Sequence, residues 1–386
     1  MATIGFVGLG NMGLPMASNL IKAGFEVVGK NRSKPAEEKL AQAGGKTDWA
    51  LPKMAAELDI VITCLPMPAD VEEVYLGEDG LIPNGREGLI LVDCSTVAPE
   101  LNRKLYDAAA ARGIAFLDAP VSGGTAGAAA GTLSVMVGGD REVYDRVLPA
   151  LEAMGKQIYY VGPCGSGSVV KLINQLMVGI HTQAVSEGLA LGRAAGLDEG
   201  ALVDILLASF AQSRILDRHY NSFIAKEQYA AGFAVKLLSK DLDLVAQMAE
   251  QAGVRLPAGG RVRSLLQRAT AGGYAGEDMS AMLKYQLEQD AKAAAAAVKH
   301  YAVFLPMKDE EKSVRFRPEH LQFLADRRSE GKLLANGRFT DGAGGLVIYK
   351  GRSQEEVEGW VRQDPYIIEG ARDYVIHEWD IVLAEG

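Results

Sequence analysis

A glycine pattern directly behind a hydrophobic run is the most constraining feature of this chain. Residues 4–13 read IGFVGLGNMG, which places Gly8, Gly10 and Gly13 between a predicted strand and a predicted helix. The first glycine permits a tight turn, the second lets the backbone approach a pyrophosphate, and the third lets helix and strand pack closely. A second strand-like segment, FEVVG, follows. This order predicts a dinucleotide-binding βαβ unit, with an ordinary glycine turn as the alternative.

The end of the second predicted strand bears on which nucleotide binds. An acidic residue there would bind the adenosine ribose 2′-OH, whereas an arginine accommodates a 2′-phosphate. The chain has Lys30, Asn31, Arg32 and Ser33 at this point. The two cations favour NADP. NAD is the alternative, because Asn31 can hydrogen-bond an unmodified ribose and the segment can be a solvated basic turn.

Composition and length narrow the class of protein. The chain has 386 residues, which suggests two or three domains, and its formal net charge of -9 argues against nucleic acid or an anionic membrane surface as a partner. We see no apolar stretch that predicts a membrane span and no room for a targeting peptide before the first strand. The three cysteines and five histidines lack disulfide or metal-ligand spacing. We therefore expect a cytoplasmic, metal-free protein that acts on small molecules.

The pattern of strand-like and helical segments changes twice along the sequence, which predicts three domains. Strand-like and helical segments alternate over residues 1–163 and predict an α/β Rossmann domain with a doubly wound parallel sheet. Helical periodicity predicts an all-helical domain over residues 164–297, entered by a helix from about Ser168 to Ala195. Residues 298–386 return to mixed strands and helices and predict a small α+β domain.

Ligands of doubly wound sheets bind beyond the carboxyl ends of the strands, so residues that follow the strands are candidates. Ser122, Gly123 and Gly124 offer a hydroxyl and unobstructed N–H groups to a carboxylate, unless they form an ordinary glycine turn. The corresponding residues after two other strands are Leu65 and Pro66, and Ser95 and Thr96.

A lysine on the first long helix of the second domain is the candidate proton carrier. Lys171, Asn174 and Gln175 lie at i, i+3 and i+4, so one cation and two amides share a helix face. Desolvation near a domain cleft can lower the pKa of a lysine, so that its amine can take up and release a proton near neutral pH. The alternative is a surface lysine whose stem covers apolar residues. Lys240 is a further candidate that faces cofactor or substrate, unless the segment SKD around it only starts a capped helix.

Over residues 1 to about 297 these segments resemble the β-hydroxyacid dehydrogenase family. The family is related to 6-phosphogluconate dehydrogenase and includes 3-hydroxyisobutyrate dehydrogenase, tartronate semialdehyde reductase and L-threonate dehydrogenase. The matching segments, in order, are GFVGLGNMGLPMASNLIKAG, NRS, DAPVSGG, GTLSVMVGGD, GSGSVVKLINQ and SKDLDLVAQMAEQAG.

This resemblance implies a role for each matching residue. Lys171 would be the general acid/base, and the lysine favours alcohol or aldehyde chemistry because related imine reductases lack it. Many members have Asn where this chain has Gln175, which resembles the L-threonate dehydrogenase branch and leaves the substrate open. The implied substrate-binding residues are Ser122, Gly123, Gly124, Asn174 and Gln175. The implied cofactor-binding residues are Gly8, Gly10, Asn11, Met12, Gly13, Asn31, Arg32, Ser33, Leu65, Pro66, Thr96 and Lys240.

The C-terminal part, about residues 300 to 382, resembles the YCII-related family of ferredoxin-like α+β domains that dimerise. The matching segments are RPEHLQFLADRRSEGKLLANGRFTDGAGGLVIYKG and SQEEVEGWVRQDPYIIEGARDYVIHEW. That family is suspected of His-Asp chemistry, which marks His320, with Asp341 or Asp364, as a possible second site. The alternative is a histidine satisfied by a neighbouring carboxylate in a domain that only dimerises or covers the reductase.

The sequence thus predicts an NADP-linked oxidoreductase that interconverts a small 3-hydroxy acid and its oxo acid or semialdehyde. We expect a homodimer or homotetramer from the resemblance. Two other hypotheses stay open. The chain could be bifunctional, with a lyase or hydrolase as its C-terminal domain, or it could bind NADP without catalysis.

Overall fold

The computed structural model describes residues 3–296 and 298–382, and the chain divides into two compact units, Met1–Gln286 and Leu287–Gly386. Among the described residues, the first unit contains a sheet of eight strands. These strands are β1 (Thr3–Val7), β2 (Glu26–Lys30), β3 (Ile60–Thr63), β4 (Ile90–Asp93), β5 (Ala115–Asp118), β6 (Val121–Ser122), β7 (Leu133–Gly139) and β8 (Gly155–Gly162).

The strands lie in the order β2-β1-β3-β4-β5-β7, with β6 and β8 also paired to β7. Helices connect the successive strands of the sheet except β5 and β6. They are α1 (Gly13–Lys22), α2 (Lys34–Gln42), α3 (Leu51–Glu57), α4 (Pro68–Leu76), α5 (Pro99–Ala110), α6 (Gly124–Ala130) and α7 (Arg141–Met154).

Alternate residues of the central strands enter two separate apolar clusters. Ile62 packs in the cluster that contains Met16 of α1, whereas its neighbour Val61 packs in the cluster that contains Tyr75 of α4. Because successive side chains of a strand point to opposite faces, helices cover both faces of the sheet. The predicted doubly wound Rossmann arrangement is confirmed.

The strands are parallel only as far as β5, which differs from the all-parallel sheet that we predicted. β7 runs antiparallel to β5, with Leu117 opposite Gly139, and antiparallel to β6, with Val121 opposite Val135. Two residues separate β5 from β6, and the short helix α6 then turns the chain back, so that β7 runs antiparallel to both strands. β8, which pattern analysis did not identify, extends this edge in parallel with β7.

The rest of the first unit is helical, as predicted. Its first helix spans 29 residues and begins two residues earlier than expected. Leu238 and Leu242 are buried at the centre of the helical region together with Val262 and Met282. The helices are α8 (Ser166–Ala194), α9 (Glu199–Leu207), α10 (Arg214–Ser222), α11 (Val235–Gln251), α12 (Pro257–Ala269) and α13 (Met282–Ala296), the last of which continues into the second unit. The boundaries expected at residues 163 and 297 stay predictions, and residue 297 itself lies outside the described residues.

The second unit is a small antiparallel sheet with helices, which confirms the predicted α+β domain. Its strands, in the order β10-β11-β9-β12, are β9 (Lys299–Pro306), β10 (Leu333–Arg338), β11 (Gly344–Gly351) and β12 (Val375–Trp379). Its helices are α14 (Glu310–Arg315), α15 (Arg317–Ser329), α16 (Gln354–Val361) and α17 (Pro365–Ile368). Tyr301, Val303 and Tyr349 of the sheet pack with Leu324 and Val357 of the helices.

Candidate active site

The glycine turn between β1 and α1 has the shape that a dinucleotide requires. Gly8 has a φ of 95°, and a Cβ there would lie 2.3 Å from the carbonyl oxygen of Cys64. A Cβ on Gly13 would lie 1.8 Å from the carbonyl oxygen of Gly8. A Cβ on Gly10, in contrast, would meet no atom within 4 Å. Two of the glycines are therefore required by packing, and the space beside the third is open, as expected where a backbone approaches a pyrophosphate.

Asn31, directly after β2, stabilises this turn by hydrogen bonds. Its Oδ1 accepts a hydrogen bond from the N–H of Leu9 at 3.0 Å, and its Nδ2 donates to Ser33 Oγ at 2.8 Å. Its own N–H donates to Glu37 Oε1 at 2.9 Å. The carboxylate closest to the strand end thus holds the backbone of the turn and is buried within it.

The two cations beside Asn31 differ in their surroundings. Lys30 lies 3.5 Å from Glu37. The Arg32 side chain is 85% exposed and contacts Asp70 at 3.2 Å. An exposed pair of this kind is weak, so the guanidinium can turn toward another anion.

A buried carboxylate connects the loops that follow β3 and β4. Asp93 Oδ1 accepts hydrogen bonds from Thr63 Oγ1 at 2.7 Å and from Ser95 Oγ at 2.5 Å. Ser95 Oγ in turn accepts from the N–H of Leu65 at 2.9 Å. Burial raises the pKa of Asp93. These bonds fix the positions of the candidate segments at residues 65–66 and 95–96.

A second buried carboxylate fixes the start of α8. Asp118 accepts hydrogen bonds from the N–H of Gly165 at 2.7 Å and from the N–H of Ser168 at 2.9 Å. A Cβ on Gly167 would lie 2.2 Å from the carbonyl oxygen of Met136, so the first turn of α8 lies directly against β7. The helix that carries the candidate lysine is therefore anchored to the sheet at one end. The sequence gives no signal for these roles of Asp93 and Asp118, because Thr63, Gly165 and Ser168, which donate to them, are distant along the chain.

Lys171 lies inside the protein with 7% of its surface exposed, which rules out the surface-lysine alternative. Its Nζ donates to Gln175 Oε1 at 2.9 Å. Burial lowers the pKa of Lys171 to about 8, and the charge of Lys240 acts in the same direction, whereas the charge of Asp241 opposes it. The thiol of Cys64, directly after β3, also influences the pKa of this amine.

Lys240 connects α11 to the loop after β4. Its Nζ donates to the carbonyl oxygen of Thr96 at 2.8 Å and lies 2.9 Å from Asp241 Oδ1. The capped-helix alternative for this segment is wrong, since α11 already begins at Val235 and Ser239 is buried within it. Lys171, Lys240 and Thr96 therefore belong to one region.

The Ser122 segment presents an open backbone. Gly123 and Gly124 have φ values of 132° and 63°, and both are exposed, while Ser122 is half-buried. A Cβ on Gly124 would meet no atom within 4 Å. The positive φ values favour glycine at both positions, and both glycines lie at the surface.

In the second unit the structure brings together His320 and Asp364. His320 Nδ1 lies 2.8 and 2.9 Å from the two oxygens of Asp364, and its ring stacks on Tyr366 with 3.9 Å between centroids. Because a carboxylate only accepts, Nδ1–H donates and Nε2 is the nitrogen that would act as a base. Asp341, the other predicted partner, is exposed in a turn and accepts from the N–H of Ala343.

The remaining histidines and acidic residues form no metal centre in the described part of the chain. His219 is completely buried against Thr182, and burial together with Arg218 lowers its pKa to about 3. Within residues 3–296 and 298–382, no three His, Cys, Asp or Glu side chains are grouped so that they could hold a metal ion. No helix in the same ranges has the length and apolarity to cross a membrane.

Comparison with known families gives three matches along the chain. Residues 3–162 match the NAD binding domain of 6-phosphogluconate dehydrogenase. Residues 165–286 match the family described as NAD-binding of NADP-dependent 3-hydroxyisobutyrate dehydrogenase. Residues 282–380 match the YCII-related domain.

The names of individual similar proteins agree with these family matches. NAD-dependent L-serine dehydrogenase of Pseudomonas aeruginosa is 39% identical over 74% of this chain and 97% of its own length. 3-Hydroxyisobutyrate dehydrogenase of the same organism is 41% identical over 69% of this chain and 91% of its own length. A solved structure of Mycobacterium tuberculosis 3-hydroxyisobutyrate dehydrogenase with L-serine is 32% identical, with a TM-score of 0.68 over 74% of this chain and 99% of that one.

Proposed function

We propose a specific reaction for this chain, which belongs to the β-hydroxyacid dehydrogenase family and carries a YCII-related domain after the dehydrogenase part. It is an NAD(P)-dependent oxidoreductase that acts on the hydroxyl group of hydroxy acids. The proposed reaction interconverts a small 3-hydroxy acid and its oxo acid or semialdehyde with NADP as the cofactor. Family membership sets aside the hypothesis of NADP binding without catalysis.

The observation that carries the proposal is the buried amine of Lys171. An amine with a pKa of about 8 exchanges its proton readily near neutral pH. In oxidation Lys171 Nζ takes the proton of the substrate hydroxyl, and in reduction it returns that proton to the carbonyl oxygen. The nicotinamide, when bound, accepts or supplies the hydride.

Two further groups are proposed to hold the substrate. Ser122 and the N–H groups of the exposed Gly123 and Gly124 bind the carboxylate, and a Cβ on Gly124 would meet no atom within 4 Å. Asn174, one turn from Lys171 on α8, is half-buried and orients the substrate beside the amine. The carboxylate would therefore be bound from the sheet and the hydroxyl from the helix.

The preference for NADP rests on the end of β2. The exposed Arg32 can pair with a 2′-phosphate, and the nearby carboxylate of Glu37 is buried and so is not offered to a ribose. The experiment is a panel of short hydroxy acids and semialdehydes, assayed with NADP and NAD in parallel. We expect a higher kcat/KM with NADP, and a higher value with NAD would overturn the cofactor assignment.

Replacing the proposed proton carrier tests the mechanism. We expect Lys171→Ala to lower kcat by orders of magnitude and to leave the Kd for NADPH nearly unchanged, because the amine acts on the substrate. Lys156→Ala, at an exposed position of β8, is the matched control and should keep wild-type turnover. Wild-type turnover in Lys171→Ala would eliminate the assignment.

A second candidate function, favoured by the contact between His320 and Asp364, is a lyase or hydrolase in the C-terminal unit. A carboxylate that holds Nδ1–H leaves Nε2 free to act as a general base. The chain would then be bifunctional.

A further inference from the structure

Both ends of the Gln175 side chain are engaged inside the protein. Gln175 is 3% exposed. Its Oε1 accepts from Lys171 Nζ at 2.9 Å and from Asn174 Nδ2 at 2.9 Å, and its Nε2 donates to Asp241 Oδ2 at 2.6 Å. The amide can take only this orientation, because a carboxylate accepts hydrogen bonds and so must face the NH₂ group.

We propose that Asp241 is a positioning residue that holds Lys171 through the amide of Gln175, and that Gln175 serves this contact instead of binding substrate. The proposal rests on the proposed role of Lys171 as the proton carrier. Asp241, on α11, fixes the amide, and the amide oxygen fixes Nζ on α8. Held through an N–H, the neutral amine keeps its lone pair free for the substrate.

The length of Gln175 suits this bridge. Lys171 and Gln175 are one turn apart on α8, whereas Asp241 lies on another helix. Asn at this position would be one methylene shorter and would have to give up the contact with either Lys171 or Asp241 unless α8 and α11 moved closer to each other.

The neutral amide also separates two charges. Asp241 forms its direct ion pair with Lys240 at 2.9 Å and reaches Lys171 only through Gln175. The groups that act on Lys171 are Asp241 and Lys240 from α11 and Cys64 from the loop after β3. A carboxylate in direct contact would hold the ammonium form, so the amide lets Asp241 orient the amine while burial keeps its pKa low.

Two near-isosteric substitutions should shift the protonation of Lys171 in opposite directions. Asp241→Asn removes the charge that raises the pKa of Lys171, so that pKa should fall below its wild-type position near 8. Gln175→Glu places a carboxylate against the amine, so the pKa should rise above that position. Asp243→Asn is the control, since it removes a charge from the same helix at a residue paired with Arg263, and should leave the pKa unchanged.

The pKa of Lys171 is measured in two ways. The first is the pH dependence of kcat for hydroxy-acid oxidation. The second needs no substrate: ¹³C NMR titration of the full chain labelled at lysine Cε, with the Lys171 signal assigned by its loss in Lys171→Ala. Melting curves show whether Asp241→Asn and Gln175→Glu are folded. If only one of them folds, the pKa of Lys171 in that variant is sufficient for the test.

Opposite shifts in the two variants would support the proposal. An unchanged pKa in a folded Asp241→Asn or Gln175→Glu, whatever its effect on kcat, would overturn it. This failure differs from failure of the proposed function, which would appear as wild-type turnover in Lys171→Ala.

Discussion

Burial gives Lys171 a different protonation equilibrium from a lysine in water. Its pKa is lowered from 10.5 to about 8, mainly because the charged form is desolvated. Oxidation needs the neutral amine as a base, and reduction needs the ammonium as an acid. We therefore expect the rate of oxidation to rise with pH and level off above about 8, and the rate of reduction to fall over the same range.

Measuring kcat against pH in both directions checks this prediction. The residual rate of Lys171→Ala should lack the inflection, which makes that variant the control. Profiles that change in the same sense in both directions would assign the inflection to a group other than the proton carrier.

The glycines of the nucleotide turn should respond differently to alanine. A Cβ on Gly13 would collide with the carbonyl oxygen of Gly8, so Gly13→Ala should lower the melting temperature. A Cβ on Gly10 meets open space, so Gly10→Ala should fold normally and raise the Kd for NADPH about tenfold or more by occupying the pyrophosphate position.

Melting curves and NADPH titrations separate the two effects. If Gly10→Ala bound NADPH as the wild type does, the cofactor would not approach the backbone at this turn.

The helix α8 carries Lys171 into position, and a single carboxylate from β5 caps its first turn. Asp118→Ala leaves two buried N–H groups without their acceptor, which should lower the free energy of unfolding by about 1–3 kcal/mol and lower kcat. Asp198→Ala removes the cap of α9, where the side chain accepts from the N–H of Ala201. That control should lose about 1 kcal/mol and keep kcat.

Urea unfolding and turnover well below both melting temperatures measure these effects. Full turnover in a destabilised Asp118→Ala would show that the start of α8 does not need this cap to place the amine.

Elements with strong local patterns could be predicted from the sequence, and elements defined by distant pairing could not. The βαβ unit follows from glycine spacing, and α8 from apolar periodicity. The segment GKQIYYVG of β8 alternates weakly and pairs only at the edge of the sheet, and β10 is interrupted by an irregular register between Leu333 and Ala335. The direction of β7 is defined by its antiparallel pairing with β5 and β6, which no local pattern reveals.

The same distinction holds within the candidate site. The helical spacing of Lys171, Asn174 and Gln175 was visible because these residues are neighbours on one helix. Asp241 lies 66 positions from its partner Gln175, so their contact depends on the packing of α8 against α11. Likewise, the sequence does not show whether Asp341 or Asp364 is the partner of His320. The fold brings Asp364 to His320.

Over the whole molecule, the residues proposed for hydride transfer all belong to the unit Met1–Gln286, which has its own apolar clusters. The unit Leu287–Gly386 has a separate core and holds His320 and Asp364. The two candidate activities are therefore separable by truncation and by substitution.

A chain of residues 1–296 should fold and oxidise hydroxy acids with nearly the wild-type kcat, since it keeps every residue proposed to bind cofactor and substrate together with α13. His320→Ala in the full chain should also keep that activity. Steady-state assays and sedimentation of both proteins make the comparison. If the C-terminal unit only assembles the protein, truncation will reduce oligomer size and His320→Ala will change nothing, whereas a lyase or hydrolase will lose product turnover in both. A folded but inactive 1–296 chain would contradict the assignment of hydride transfer to the first unit alone.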